Sequence, residues 1–282
     1  INDMWAVHDY QSDNAEARGP QYTKRIATRY GEPRSLEDYC RKAQLVNLET
    51  AKAMYECLQA QQTGGMLVWM TQPAWPSMIC QLYDYYFEPT AAYFGAKKGC
   101  APIHILWDAH TDQIKVANNT ANPIANVIAE AQIFDRAGKL KWTRAEKMDL
   151  PATAARTGYA LPRPTDSVFF VKLTLRHGEK ILSDNFYWGS PKGGSCAELE
   201  QLPPVSLSAA ATQTRHADLR RVKVQLHNDT EHVALAIRLK VVRAASADRV
   251  LPVFYDDNYF SLLPGESREV ALEYAAASLR GE

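Results

Sequence analysis

The chain has 282 residues, 46% of them apolar and 23% charged, and its 32 basic side chains balance its 32 acidic ones. That length accommodates two or three domains, since single cores rarely grow far beyond roughly 250 residues. The balance of charge carries no electrostatic signature of nucleic acid or of an anionic membrane, and no apolar run approaches the ~20 residues of a membrane span. Cys40, Cys57, Cys80, Cys100 and Cys196 are odd in number and show no C-x-x-C spacing. They read as small buried apolar residues rather than as a disulfide framework.

The start, Ile1-Asn-Asp-Met-Trp5, lacks an initiator methionine and the basic and apolar regions of a signal peptide, so the expectation is a chain cut from a longer one. Residues 1–34 are loop-like around a short helix from Tyr22 to Tyr30, with Asn14, Gly19, Pro20, Gly31 and Pro33 as breakers. Trp5, His8, Asp9 and Tyr10 cluster there as groups suited to polar or sugar recognition. Ser35-Leu-Glu-Asp38 then offers an N-cap serine with a carboxylate three positions on, and the apolar spacing that follows predicts an amphipathic helix of about seven turns.

Gly64-Gly65 introduces the most distinctive stretch. Met66-Leu-Val-Trp-Met70 is an uncharged apolar run bounded by glycines and prolines, the pattern of a strand covered on both faces, as in a parallel sheet or barrel. A loop with Gln72 and Trp75 follows, and then a predicted helix from about Ser77 that is thick with aromatics. No second strand of this kind lies nearby, so the segment reads as part of something larger.

Past Cys100 the texture becomes period-two alternation: Ile103–Trp107, Gln113–Ala117, Ala125–Phe134, Val168–Leu175 and Lys180–Trp188, with turn signals between them. Such spacing describes a β-sandwich. A linker is expected through Pro191, Gly193, Gly194, Pro203 and Pro204, followed by a second, smaller sandwich with strands at Arg221–His227, Val233–Val242, Arg249–Phe254, Tyr259–Leu263 and Val270–Tyr274.

Several of these runs carry a family resemblance. Met66-Leu-Val-Trp-Met-Thr-Gln-Pro-Ala-Trp-Pro76, Leu82-Tyr-Asp-Tyr-Tyr-Phe-Glu-Pro-Thr-Ala-Ala-Tyr-Phe-Gly-Ala-Lys-Lys98, Pro102-Ile-His104, Asn185-Phe-Tyr-Trp188 and Leu251-Pro-Val-Phe-Tyr-Asp-Asp-Asn-Tyr-Phe-Ser-Leu-Leu-Pro-Gly-Glu266 resemble the carboxy-terminal part of glycoside hydrolase family 2. Within it they are most similar to the branch of exo-β-D-glucosaminidases and mannosylglycoprotein endo-β-mannosidases. The resemblance implies a multidomain chain: the C-terminal part of a TIM (β/α)8 barrel over residues 1–100, then two all-β immunoglobulin-like sandwiches over 101–195 and 196–282. Met66–Met70 would be the eighth barrel strand. Barrel active sites gather at the C-terminal ends of the strands, which would put Trp69, Gln72 and Trp75 at the mouth of a sugar pocket.

The resemblance implies no cofactor and a retaining mechanism, in which two glutamates about 5 Å apart serve as acid–base and nucleophile. By the family pattern the first lies in an Asn-Glu pair, and this chain contains none. Both catalytic carboxylates are therefore expected upstream, none in this chain, and the chain alone is expected to be inactive. Its expected partners are an oligosaccharide or glycan substrate and the N-terminal remainder of the same enzyme.

Each candidate also has a plainer reading. Trp69 is a sugar platform or a plug of the barrel, Trp75 a subsite wall or a loop anchor, and Gln72 a hydroxyl ligand or a loop brace. Trp5 and His8 lie where they could reach the same pocket. Tyr83, Tyr85, Tyr86, Phe87, Tyr93 and Phe94 read as helix packing against barrel and linker rather than as a binding face. His227, His232 and Asp256-Asp257-Asn258 lack metal-ligand spacing, so no metal site is expected. Asn118-Asn-Thr120 and Asn228-Asp-Thr230 match N-glycosylation sequons. A noncatalytic Ig-like module that binds carbohydrate or another protein is the alternative for the whole chain.

Overall fold

The fold is that of a computed structural model, which describes residues 8, 19–77, 81–191 and 194–279. Helices α1 (Gly19–Tyr30) and α2 (Leu36–Gln61) form where periodicity predicts them. Ser35 caps α2 as expected, its hydroxyl accepting from the Asp38 amide at 3.1 Å. Helix α3 (Ala91–Gly99) packs closely on α2 because Gly95 and Gly99 face it: a Cβ on Gly95 would lie 2.5 Å from the Leu48 carbonyl oxygen.

Two corrections concern residues 66–90. Met66–Met70 joins no sheet, Leu67 is fully exposed and Trp69 is 87% exposed. A strand covered on both faces needs neighbours on both edges, and the described residues supply none. They form no (β/α)8 barrel. Among the described residues, the helix expected from Ser77 appears only at Ala91; residues 83–89 instead form a small hairpin closed by an antiparallel bridge between Tyr83 and Pro89. Pro89 cannot sit inside a helix, and the Asp84 carboxylate offers the backbone a competing turn by accepting the Tyr86 and Glu88 amides.

The remainder is mostly β structure, with two sandwich-like sets of sheets. In the first, a four-stranded sheet runs β4 (Leu140–Leu150), β3 (Ile124–Asp135), β6 (Phe169–His177), β7 (Lys180–Gly189). It faces a three-stranded sheet ordered β1 (Ile103–Asp108), β2 (Gln113–Asn118), β5 (Ala154–Ala160). Ile105, Ile114, Val116, Val127, Ile133, Leu150, Val171 and Leu173 fill the space between them. Strand β6 is buried on both faces: Phe169, Val171 and Leu173 enter this core, while Val168 and Phe170 point to the helices. Alternation therefore gives way to a continuous apolar run there.

The second set comprises a sheet ordered β11 (Val253–Tyr255), β13 (Ser267–Ala275), β9 (Leu219–His227), β8 (Ser208–His216), and the pair β10 (Ala234–Ile237) with β12 (Phe260–Leu262). Strand β10 is shorter than the expected Val233–Val242 run. Strands β4, β5 and β8 were not expected, and every residue of β8 is exposed. Polar edge strands leave little apolar alternation to read.

The expected linker is also packed. Cys196 and Leu199 join a core shared by Tyr30, Leu48, Phe94, Phe170, Trp188, Val233 and Tyr259, which cements helices and both β regions. The buried Lys42 ammonium reinforces it by donating to the carbonyls of Gly31 and Glu32 and pairing with Glu200. Cys40, Cys57 and Cys100 are exposed, against expectation, and Cys80 lies outside the described residues.

Both sequons have a structural role instead. Asn118 and Asn228 are fully buried. In each, Oδ1 accepts from the amide and, at 2.7 Å, from the hydroxyl of the threonine two residues on. Nδ2 donates to the carbonyl four residues on, of Asn122 and of His232. The two β regions thus leave β2 and β9 through the same Asn-x-Thr turn.

Candidate functional site

Residues 64–77 run over the surface as an extended loop. Met70, at φ 60°, turns the chain, after which the Thr71 carbonyl accepts the Tyr83 amide at 3.0 Å. Gln72 Nε2 donates to the Tyr85 carbonyl at 3.4 Å, so its loop-brace reading has a partner. Trp75 is 45% exposed, and the His8 imidazole stacks on it with ring centres 5.7 Å apart and planes 24° apart. His8 Nδ1 lies 2.5 Å from the Pro76 carbonyl oxygen, placing an N–H there. The structure thus brings His8 and Trp75 together, joins Gln72 to the hairpin, and leaves Trp69 projecting from the loop. Trp5 lies outside the described residues.

The 83–89 hairpin beside this loop has no counterpart in the sequence-based expectation. Tyr83 and Tyr93 pack on each other and Phe94 is buried, as expected of packing aromatics. Tyr85, Tyr86 and Phe87 do not pack: all three are exposed at the hairpin tip. Phe87 adopts φ 65°, a left-handed conformation that costs a bulky residue about 1–3 kcal/mol. The signal available in sequence was Asp84 five residues before Pro89, a turn and not a helix.

A second feature is a cavity of about 1060 Å³ bounded by α2, the outer face of the first sandwich and the 257–268 rim of the second β region. Its polar wall is self-paired. The buried Glu56 Oε1 accepts from His104 Nε2, Asn185 Nδ2 and the Tyr187 hydroxyl, each at 2.8 Å. Burial alone would raise this carboxyl, but Lys52 and the His104 and Asn185 hydrogen bonds outweigh it and hold it below its usual range. Lys52 donates to the Phe186 carbonyl at 2.8 Å and sits over the Tyr187 ring. Burial pushes its ammonium down to about 8 against the pull of Glu56. Burial and the Glu56 charge push the Tyr187 hydroxyl well above its usual range. Farther along the wall, Asp184 pairs with Lys98 at 3.0 Å and with Arg268 at 2.6 Å. This network rivets helix to sandwich. The motifs Pro102-Ile-His104 and Asn185-Phe-Tyr-Trp188, whose His104 and Asn185 are 81 positions apart, meet at Glu56, a convergence that no local pattern announces.

Comparison with known proteins decides the family. Residues 185–282 match the exo-beta-D-glucosaminidase Ig-fold domain. The chain is 31% identical to an exo-beta-D-glucosaminidase of Arthroderma benhamiae, covering 90% of this chain and 31% of that protein. It superimposes on the exo-chitosanase of Amycolatopsis orientalis with a TM-score of 0.88 at 26% identity, over 99% of this chain and 37% of that one.

Residues 185–282 belong to the exo-β-D-glucosaminidase Ig-fold family.

The wider resemblance to glycoside hydrolase family 2 also holds, within the branch of exo-β-D-glucosaminidases and mannosylglycoprotein endo-β-mannosidases. A mannosylglycoprotein endo-beta-mannosidase of Lilium longiflorum is 26% identical over 97% of this chain. A β-D-mannosidase of Dictyoglomus thermophilum shares the fold at 16% identity, with a TM-score of 0.73. The chain spans about a third of the length of these relatives.

Proposed function

We propose that this chain is the carboxy-terminal portion of a retaining β-glycosidase that acts on β-glucosaminide linkages, with β-mannosides as the related substrate class. In that whole, Met66–Met70 is the closing strand of a (β/α)8 barrel whose neighbours come from the preceding segment. Trp69, Gln72 and Trp75, with Trp5 and His8, form one wall of the sugar pocket. The β regions are Ig-like supports, and the catalytic glutamates lie upstream.

The observation that carries this reading is the uncovered apolar run at residues 66–70, in a chain that superimposes almost entirely on about a third of a glycosidase. An indole offers a flat apolar face to the C–H side of a pyranose and an N–H to a hydroxyl, which suits Trp69 and Trp75 to the wall. The self-paired wall of the cavity favours a structural role for it, since the buried Glu56 carboxylate is already held by His104, Asn185 and Tyr187.

The test is an activity screen of the protein with its preceding segment on aryl β-glucosaminides, chitosan oligomers, aryl β-mannosides and mannosyl N-glycans, beside the isolated chain. Hydrolysis by the longer protein alone is expected. Activity in the isolated chain, or none in the longer protein, would overturn the proposal. Within the longer protein, Trp69→Ala is expected to raise KM by about two- to tenfold, on the basis of a stacking contact worth about 0.5–1.5 kcal/mol.

A further inference from the structure

The hairpin at residues 83–89 is built more rigidly than a surface connection requires. Besides the Tyr83–Pro89 bridge, the Asp84 amide donates to the Glu88 carbonyl at 3.0 Å and the Phe87 amide to the Asp84 carbonyl at 3.1 Å. Asp84 Oδ1 accepts the Tyr86 amide at 2.8 Å and the Glu88 amide at 2.9 Å. From the second β region, Arg249 bridges Asp84 and Glu88 and sets its guanidinium 5.4 Å from the centre of the Tyr86 ring, while Arg238 also pairs with Glu88. The turn is therefore held from inside and from behind.

What this frame presents outward is aromatic. Phe87 occupies a left-handed position that glycine or asparagine would fill without strain, yet it is 56% exposed, so packing does not explain its identity. Tyr85 and Tyr86 stand edge to face beside it, with ring centres 5.1 Å apart. The tip is tied to the 71–76 loop through the Tyr83 amide to Thr71 and Gln72 to the Tyr85 carbonyl. The chemistry also differs from that of the neighbouring run: Leu67, Val68 and Met70 are aliphatic, as a barrel interior would need, whereas the tip combines amphipathic rings with fixed charges. Flat rings with hydroxyl edges, pre-ordered beside a sugar wall, suit pyranose units better than a protein core.

We propose that Tyr85, Tyr86 and Phe87 form a stacking platform for the sugar units of an oligosaccharide lying beyond the unit held by the Trp69–Trp75 wall. This rests on the preceding reading of the chain as part of a β-glycosidase. The platform adds affinity for longer chains and leaves the cleavage of a monosaccharide aryl glycoside unaffected.

The experiment compares kcat/KM for a p-nitrophenyl β-glucosaminide and for chitosan oligomers of increasing length, in the protein with its preceding segment and its Phe87→Gly, Tyr85→Ala and Phe87→Trp variants. The first two variants are expected to lose about tenfold on the longer oligomers and to stay within twofold on the aryl glycoside, while Phe87→Trp retains the chain-length preference. Equal losses on both substrates, an unchanged chain-length dependence, or a lowered Tm accompanied by loss on every substrate would overturn the platform alone. No hydrolysis of any β-glycoside by the unsubstituted protein would overturn the parent reading and the platform with it.

Discussion

The first sandwich and the stretch from Gly64 to Pro89 are both rich in apolar side chains, yet one buries them and the other displays them. Phe170 is fully buried between sandwich and helices, whereas Trp69 is 87% exposed on its loop. Composition does not separate the two regions; the supply of partners does. Each sandwich strand finds a neighbour a turn or a crossover away in the same chain, while the 66–70 run meets no neighbouring strand among the described residues. Apolar character is a demand for cover, and the chain meets that demand only where topology returns another element to the same place.

The comparison breaks most readily on the buried side. Phe170→Ala is expected to destabilise by about 3–5 kcal/mol, read as a lowered urea midpoint, because the cavity it leaves is walled by two layers that cannot both collapse. Glu56→Ala should cost about as much, near 3–5 kcal/mol, since it leaves His104, Asn185 and Tyr187 buried without their shared acceptor. A loss below 1 kcal/mol in either variant would mean that this interface is far looser than its burial indicates.

A smaller effect tests the repeated turns. Asn118→Ala and Asn228→Ala are each expected to cost about 1–3 kcal/mol, because each leaves threonine and backbone groups without the side chain that satisfied them. Matching losses in the two β regions would show the turns to be equivalent; a loss in only one would separate the regions.

The charged rivet has its own pH signature. Lys52 titrates near 8 in the folded chain and near 10.4 when unfolded, so between those values the unfolded state binds more protons and stability rises with pH. Urea midpoints from pH 7 to 9.5 should show that rise, and Lys52→Met should flatten it. Glu56 and Asp184 are held below the usual carboxylate range, so they contribute stability above about pH 4 that is lost as pH falls further. Tyr30 and Tyr187, raised well above their usual range, withdraw stability only above about pH 10.

The smallest expected effect is on the exposed side. Trp69→Ala should change the stability of the isolated chain by no more than about 0.5 kcal/mol, the ordinary range for a surface substitution. A loss of several kcal/mol would show that Trp69 is covered in solution and would erase the contrast with Phe170.

Local pattern alone determined much of this molecule. The serine cap and long period of α2 and the alternation in β1, β2, β3, β7 and β9 were readable because each depends on residues a few positions apart. Long motifs likewise announced the family. Tertiary structure decided the rest. Whether Met66–Met70 is a strand depends on neighbours, not on its own residues. Whether Tyr85, Tyr86 and Phe87 pack or project depends on Asp84 and Pro89 closing a hairpin where aromatic content read as helix. The meeting of Glu56, His104 and Asn185, and the burial of both sequon asparagines, depend on elements distant in sequence returning to one point. A local pattern records what each residue requires, and only the assembled chain determines which partner meets it.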